Sequence, residues 1–498
     1  MPLLTGLQGT KVQTVYNIGE PVNNNYITGI PDGLGALNRS ANGNLRLLVN
    51  SELGPDKGYA YTLANGTKLT GGRLNYLEIN SQGNVIESGL AYDTIIDRQG
   101  KVVTNGSQIN GGTAGTNGFN RFCAANLIQA GTLGRGNRGF ERPLYLIGEE
   151  SGNFATMQVF DPSSKTVYAA PDLGYGGWES ATMLYPGVAS KVAVLLGDDN
   201  SAAPIYLYVG NKVARSTNVL ERNGLVGGQM YVWVANSGAS TSASLAAGSI
   251  TDGVWKPINV RDAAKAGQSG YDAQGYKYAA TLRAEAKAMN AFLGYRIEDV
   301  DCNPNNPTQA AFNTTGGQST GTGAAAVGSG DYYGSTFIID VSFDKNGDPV
   351  TGKLNHVYDG DAAGNRQNGI RSQDNLAWSR NGKIYINEDR AIEAGADNGD
   401  AAWGSQEGSV WELDPVTGKA TRIAQINRKG TLPAGVTDTN TSIGGWETSG
   451  IIDVSAQYGH VPGTDFFVSV QAHGTIGGTI TSQNLVEGGS IERLVLGG

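Results

Sequence analysis

Residues 176–184 read GGWESATML, and residues 444–452 read GGWETSGII. Each stretch opens on a glycine turn, passes through Trp and Glu, and enters a strand-forming run. A second pair shares a looser form. ERPLYLIGEE (141–150) and NGKIYINED (381–389) are both strands closed by acidic residues. Recurring strand groups predict a β-propeller, in which each blade is a small sheet and the loops gather at a central channel. The recurrence is too degenerate to count blades. A β-sandwich is the competing architecture.

The rest of the chain fits either all-β reading. Short runs rich in Val, Ile and Tyr alternate with Gly, Asn and Asp. Examples are LRLLVNSE (45–52), LNYLEIN (74–80), KVAVLLGDD (191–199), PIYLYVG (204–210) and QMYVWVAN (229–236). STFIIDVSFD (335–344), GSVWELD (408–414) and DFFVSVQAHG (465–474) follow. One segment differs: AATLRAEAKAMNAFL (279–293) is Ala-rich, with Leu282, Met289, Phe292 and Leu293 near helical spacing. It predicts one notable helix packed on the strands. SGASTSASLAAGS (237–249) and GAAAVGSGDYYGS (323–335) read as loop insertions, because strand patterns continue on both sides.

Composition narrows the function classes. The 498 residues carry a net charge of −9, 16% charged residues and 74 glycines. The glycines have no collagen period and mark tight turns. No long basic cluster exists, so no nucleic-acid partner is expected. No run approaches the roughly 20 apolar residues of a membrane-spanning helix. The N-terminus, MPLLTGLQGTK, has no basic region followed by an apolar core, so no Sec signal is read there. Cys123 and Cys302 are the two cysteines, too few for a disulfide scaffold. With three histidines, a His-rich zinc site is disfavoured. No nucleophile elbow, Walker loop or dinucleotide fingerprint stands at a strand–helix junction.

The carboxylates are the informative residues. Strands end at Glu52, Glu149-Glu150, Asp198-Asp199, Glu298-Asp299 and Glu388-Asp389, while Glu179 and Glu447 follow the two GGW turns. In a propeller, equivalent strand ends fall on one face near one axis. Carboxylates collected there repel unless cations neutralise them. Hard oxygen donors of this kind suit Ca²⁺. Any single one reads equally well as a solvated loop end. The two tryptophans beside Glu179 and Glu447 argue for a shaped, partly desolvated place.

Between residues 28 and 475 a series of motifs stands in a fixed order. TGIPDGLGAL (28–37) comes first, then LLVNSE, FCAANL and LYLIGEES. DLGYGGWESATML, VAVLLGDDNSAAPIYLYV, GVWKPI and LGYRIEDVDCNPNNPTQAAFNTT follow, and then QDNLAWSRNGKIYINED, GSVWELDPVTGKATRI, GGWETSG and FVSVQAHG. In this order the motifs resemble those of the PhoX-type alkaline phosphatases, calcium-dependent six-bladed propellers related in fold to phytase-like esterases.

The resemblance implies a single propeller domain over 1–498 and a metal cluster of calcium and iron at the channel mouth. Cys123, in NGFNRFCAANL, matches the family's cysteine loop and is implied as a ligand to Fe³⁺. A bound cation makes such a thiol ionise. Glu52, Glu149 or Glu150, Glu179 and Glu298 are the other implied ligands, with Asp199, Asp389 and Glu447 at further family positions. Arg296 is implied to hold the phosphate, two residues before Glu298; arginine suits bidentate phosphate contact.

There are departures from the family pattern. Ser51 and Trp178 replace histidines, Ile297 replaces a proline, and IQAGTLGRGNRGFERP (128–143) replaces a shorter segment. The expected function is a secreted, periplasmic or cell-surface phosphomonoesterase acting on small phosphate esters. The alternative is a non-catalytic, calcium-stabilised propeller that self-assembles at the cell surface.

Overall fold

Short apolar runs bounded by turn residues become strands, and the strands group in fours. In the computed structural model six antiparallel blades surround one channel. The structure describes residues 1–109, 117–134, 136–201, 203–316, 331–362, 364–389 and 406–497. Most of the expected insertion at 323–335 therefore lies outside the described residues.

From the channel outward, blade 1 contains Pro31–Ala36, Leu45–Ser51, Arg73–Ile79 and Val85–Leu90. Blade 2 contains Phe122–Ile128, Leu144–Glu149, Gln158–Asp161 and Thr166–Ala169. Blade 3 contains Trp178–Leu184, Lys191–Asp198, Tyr206–Asn211 and Gln229–Ala235. Blade 4 contains Ile297–Cys302, Gln309–Thr314, Ser335–Phe343 and Pro349–Asp359. Blade 5 contains Gln373–Trp378, Ile384–Glu388, Ser409–Leu413 and Ala420–Ile426. Blade 6 contains Glu447–Asp453, Asp465–Ala472 and Gly488–Val495 and is completed by the N-terminal Lys11–Asn17. Strands from both ends of the sequence thus share one sheet, which closes the ring.

The six inner strands touch in cyclic order, with the strand of blade 6 against that of blade 1. Packing between them is tight. A Cβ on Gly450 of blade 6 would lie 2.3 Å from the Asp32 carbonyl oxygen of blade 1. Each interface between neighbouring blades is filled by its own apolar cluster, so the core is divided into six wedges. Trp178 and Tyr206 sit between blades 2 and 3, Trp233 and Phe292 between 3 and 4, and Trp446 and Phe466 between 5 and 6. Burying one large apolar side chain is worth about 1.5–3 kcal/mol, so these wedges carry the ring.

Several additions depart from a plain propeller. Leu4–Gly6 adds a fifth strand to blade 5, antiparallel to Ala420–Ile426, and Thr94–Ile96 adds a fifth to blade 2, parallel to Thr166–Ala169. Ile250–Ile258 pairs with Gln229–Ala235 on one side and Pro349–Asp359 on the other, fusing blades 3 and 4 into one nine-stranded sheet. The expected helix spans Ala279–Ala288 and buries Leu282 and Ala286 against the wedge between blades 2 and 3. It ends before the predicted limit because Asn290 takes a left-handed conformation, φ 58°. Asn tolerates that at a helix end. Phe292 then leaves the helix for the wedge between blades 3 and 4.

Candidate functional site

All six inner strands carry the same irregularity. Their pairing register shifts once, near the start, between Pro31 and Leu34, Phe122 and Ala125, Trp178 and Ala181, Ile297 and Val300, Gln373 and Leu376, and Thr448 and Ile451. Such a bulge adds a residue and re-aims a side chain. Its first residue in blades 1 to 6 is Asp32, Cys123, Glu179, Glu298, Asp374 and Ser449. Five of these six are metal-ligand types.

Two further positions repeat around the ring. Two residues before the bulge's first residue stand Ile30, Arg121, Gly177, Arg296, Ser372 and Glu447. Facing it on the second strand is Glu52, Glu150, Asp199, Thr315, Asp389 and Gln471. In blades 1 to 5 the facing residue donates its backbone N–H to the carbonyl of the first, at 2.7–3.1 Å. Ile30, Arg121, Arg296 and Ser372 have φ of 50°, 60°, 58° and 51°, left-handed values that are uncommon for residues other than glycine. This turn of the backbone aims the residue over the channel.

A cavity of about 250 Å³ opens at this end of the channel. Fourteen of its fifteen lining residues come from these three ring positions, and the fifteenth is His473. Nine are carboxylates: Asp32, Glu52, Glu150, Glu179, Asp199, Glu298, Asp374, Asp389 and Glu447. Arg121 and Arg296 are the arginines facing them. Two like charges 4 Å apart repel by about 4 kcal/mol at the effective dielectric of a protein surface. Burial and mutual repulsion therefore hold Asp32, Glu179, Glu298 and Asp374 well above the usual carboxylate range. Burial first, and neighbouring acids second, push Glu150 and Glu447 up to about 7.

Three sets of donor atoms lie within 4.8 Å of one another: Glu52, Cys123 and Glu150; Asp32, Cys123 and Glu179; and Glu179, Glu298 and Asp374. Cys123 and Glu179 each belong to two sets, so the sets form a connected chain across blades 1 to 5. Cys123 Sγ lies 3.1 Å from Glu150 Oε2. Burial, with Glu150 and Glu179 alongside, keeps the thiol protonated in the absence of a cation.

The carboxylates are held in place by neutral donors. Ser449 Oγ bonds Asp32 at 2.7 Å. Gln471 Nε2 donates to Glu52 at 3.1 Å, Thr315 Oγ1 to Glu298 at 2.5 Å, and the Ala124 N–H to Glu179 at 3.0 Å. Arg296 makes a fork to Asp199 at 2.9 and 3.1 Å and reaches Asp389 at 3.2 Å and Glu298 at 2.8 Å. Arg121 pairs with Glu52 and Glu150.

The structure thus brings Glu52, Cys123, Glu150, Glu179, Asp199, Arg296, Glu298, Asp389 and Glu447 to one cavity. Glu149 does not line it. Glu149 points behind the strand, where its carboxylate accepts the Asn120 and Thr156 N–H groups at 3.1 and 3.4 Å and Gln158 Nε2 at 3.2 Å. Glu447 shares the cavity but none of the three donor sets. It faces His473, 3.4 Å away, whose other nitrogen lies 2.8 Å from Glu487. Cys302 is free and partly exposed, away from the site.

Glu447 also corrects the opening alignment. The two GGWE stretches suggest that Glu179 and Glu447 are equivalent. The register makes Glu179 equivalent to Ser449, and Glu447 equivalent to Gly177. A slide of two residues keeps the same face and moves the carboxylate outward.

Asp32, Asp374, Arg121, Gln471 and His473 are absent from the sequence-derived set. A signal for the first two exists. IPDGL, RFCAA, GWESA, RIEDV, SQDNL and ETSGI share one frame, with a donor-type or polar residue third, a small or polar residue fourth and an apolar or small residue fifth. Aligned on that frame, Asp32 and Asp374 fall in the column of Cys123, Glu179 and Glu298.

Comparisons with known proteins agree with this architecture. The family model "Alkaline phosphatase PhoX" matches residues 129–447. Pseudomonas fluorescens PhoX, solved with vanadate as a transition-state analogue, superposes with a TM-score of 0.62 at 16% identity. The match covers 99% of this chain and 96% of that one. A Bacteroides thetaiotaomicron protein described as a candidate phosphatase aligns over 93% of this chain and 97% of its own. At 10% identity and a TM-score of 0.29 it adds no weight. No curated protein matches the sequence. With the family model spanning well over half of the sequence, and the ring of bulged inner strands beneath it, this all-β, six-bladed propeller belongs to the PhoX alkaline phosphatase family and is a phosphatase.

Proposed function

We propose that the chain is a metal-dependent phosphomonoesterase that works outside the cytoplasm on small phosphate esters. The observation that carries the metal dependence is the imbalance of nine carboxylates against two arginines in one cavity. An anionic ester cannot approach that field unless cations reverse it. The donor chemistry fits. Glu179, Glu298 and Asp374 are an all-oxygen set suited to Ca²⁺. The two sets that share Cys123 add a sulfur donor, which suits a transition metal such as Fe³⁺.

Bound cations supply Lewis-acid polarisation of the phosphoryl oxygens and neutralise developing charge. The remaining work falls to the protein. Arg296, its fork already organised by Asp199, holds phosphoryl oxygens. Glu298 fixes Arg296 from one side and offers its other oxygen to a cation. Ser449, Thr315 and Gln471 keep Asp32, Glu298 and Glu52 aimed at the channel, so the site is organised before substrate arrives. Family membership favours this reading over a non-catalytic surface component. No helix among the described residues is long and apolar enough to cross a membrane. The sharing of one sheet by both chain ends supports a single propeller unit over residues 1–498.

The test is hydrolysis of p-nitrophenyl phosphate by purified protein, with elemental analysis of the same sample. Calcium and iron in the protein, activity lost on chelation and restored by readdition, is the expected result. Undiminished activity in metal-stripped protein overturns the reading.

A further inference from the structure

Arg121 is the one cationic side chain of the cavity, apart from His473, that the reading above leaves without a role. It stands at the same ring position as Arg296, two blades away, with nearly the same backbone, φ 60° against 58°. Blade 3, between them, has Gly177 at that position and contributes no side chain there. Both guanidinium groups line one cavity, from blades on either side of blade 3.

Both arginines are held by carboxylates of the same cavity. Arg296 binds Asp199 and Asp389, on the blades to either side of its own. Arg121 binds Glu52 of the preceding blade and Glu150 of its own. Glu52 and Glu150 are also the carboxylates that, with Cys123, make up one of the three donor sets. A cation held by Glu52, Cys123 and Glu150 would compete with Arg121 for the carboxylate oxygens and so leave its fork available to a substrate. The Arg121 side chain is 45% exposed and that of Arg296 28%, so Arg121 is the one nearer the cavity mouth.

We propose that Arg121 is a second phosphate-binding arginine, forming with Arg296 a pair that grips a phosphomonoester dianion from two sides. The inference rests on the phosphomonoesterase reading. A dianion offers three non-bridging oxygens, and two planar forks satisfy more of their lone pairs than one. Because Arg121 stands at the mouth, it contributes mainly to binding, while Arg296, tied to Glu298, contributes to turnover.

The test compares metal-loaded wild type, R121A and R121K. Metal content, kcat and KM for p-nitrophenyl phosphate, and the Kd for inorganic phosphate by calorimetry are measured on each. R121A should raise KM and the phosphate Kd by about tenfold to a hundredfold, the effect of losing one charged contact, with kcat nearly unchanged. R121K keeps the charge beside Glu52 and Glu150 but loses the fork, and should weaken phosphate several-fold at full metal content. Normal phosphate affinity in a metal-replete R121A overturns the proposal. If R121A loses metal, R121K decides. Full metal with normal phosphate affinity overturns the proposal, as does loss of metal in both variants, which makes Arg121 a brace for the carboxylates. A wild type that neither hydrolyses the ester nor binds phosphate defeats the phosphomonoesterase reading itself. An active wild type with unaffected variants defeats only the role of Arg121.

Discussion

Arg296 Nη2 lies 2.8 Å from Oε1 of Glu298, two residues further along the chain. On a regular strand, residues two apart share a face. The structure reaches the same convergence by another route. Arg296 is left-handed and precedes the strand, and Glu298 is the first residue of the bulge. Ile297, between them, packs into the wedge between blades 3 and 4. The ion pair is thus inside the cavity, and it joins the arginine proposed to hold phosphate to a residue proposed to hold metal.

Replacing Arg296 by Ala should lower kcat on the order of a hundredfold, as for loss of one preorganised charge donor. Calcium content should stay near that of wild type, because arginine is no ligand. Glu298→Ala should lose metal and activity together. Steady-state kinetics with elemental analysis distinguish the two, and normal turnover in Arg296→Ala would sink the assigned role.

Chelation should lower the melting temperature far more than a surface ion effect would. A cation present at a thousand times its Kd stabilises the fold by about 4 kcal/mol. Calorimetric scans with and without chelator, followed by calcium readdition, check this. An unchanged melting temperature means that the acidic ring holds no stabilising cation.

Asp374→Asn should separate stability from function. In metal-free protein the buried carboxyl is a liability beside Glu179 and Glu298, so the neutral amide should stabilise by about 1–2 kcal/mol. In metal-loaded protein the same change removes a donor and should abolish most of the activity. Urea unfolding of both forms measures it. Destabilisation of the metal-free form would contradict the crowding of acids inferred here.

Cys123→Ala should remove iron and any thiolate-to-iron absorption band while leaving the all-oxygen set filled with calcium. Visible spectroscopy and elemental analysis on one sample test both halves. An iron-containing, coloured variant shows that the thiol is not the ligand.

Trp178→Ala should cost about 3–5 kcal/mol, the usual range for emptying a large buried site. Its ring is fully buried, packs edge-on to Tyr206 at 5.6 Å, and donates its Nε1–H to the Gly174 carbonyl at 3.1 Å. Val416→Ala, at a residue 91% exposed, should stay within about 0.5 kcal/mol of wild type and serves as the control.

Strand positions were legible in the sequence because local chemistry decides them. The runs at 45–52, 191–199 and 465–474 are observed as Leu45–Ser51, Lys191–Asp198 and Asp465–Ala472. Apolar β-formers bounded by Gly, Asn and Asp leave few other conformations. Acidic strand ends and a lone Cys in a polar stretch likewise stood out as residue types, and with the family resemblance they led to most of the cavity. Tertiary structure decided what the types could not. Glu149 and Glu150 are adjacent and chemically alike, yet only Glu150 enters the channel, because neighbours on a strand point to opposite faces. The two GGWE stretches look equivalent, yet register separates their glutamates by two positions. Asp32 and Asp374 share only the five-residue frame of the inner strands, which does not by itself mark a ligand. They become partners of Cys123, Glu179 and Glu298 only when closure of the ring brings together bulges from strands up to 342 residues apart, 374 − 32, and that closure is settled by packing in the wedges between blades.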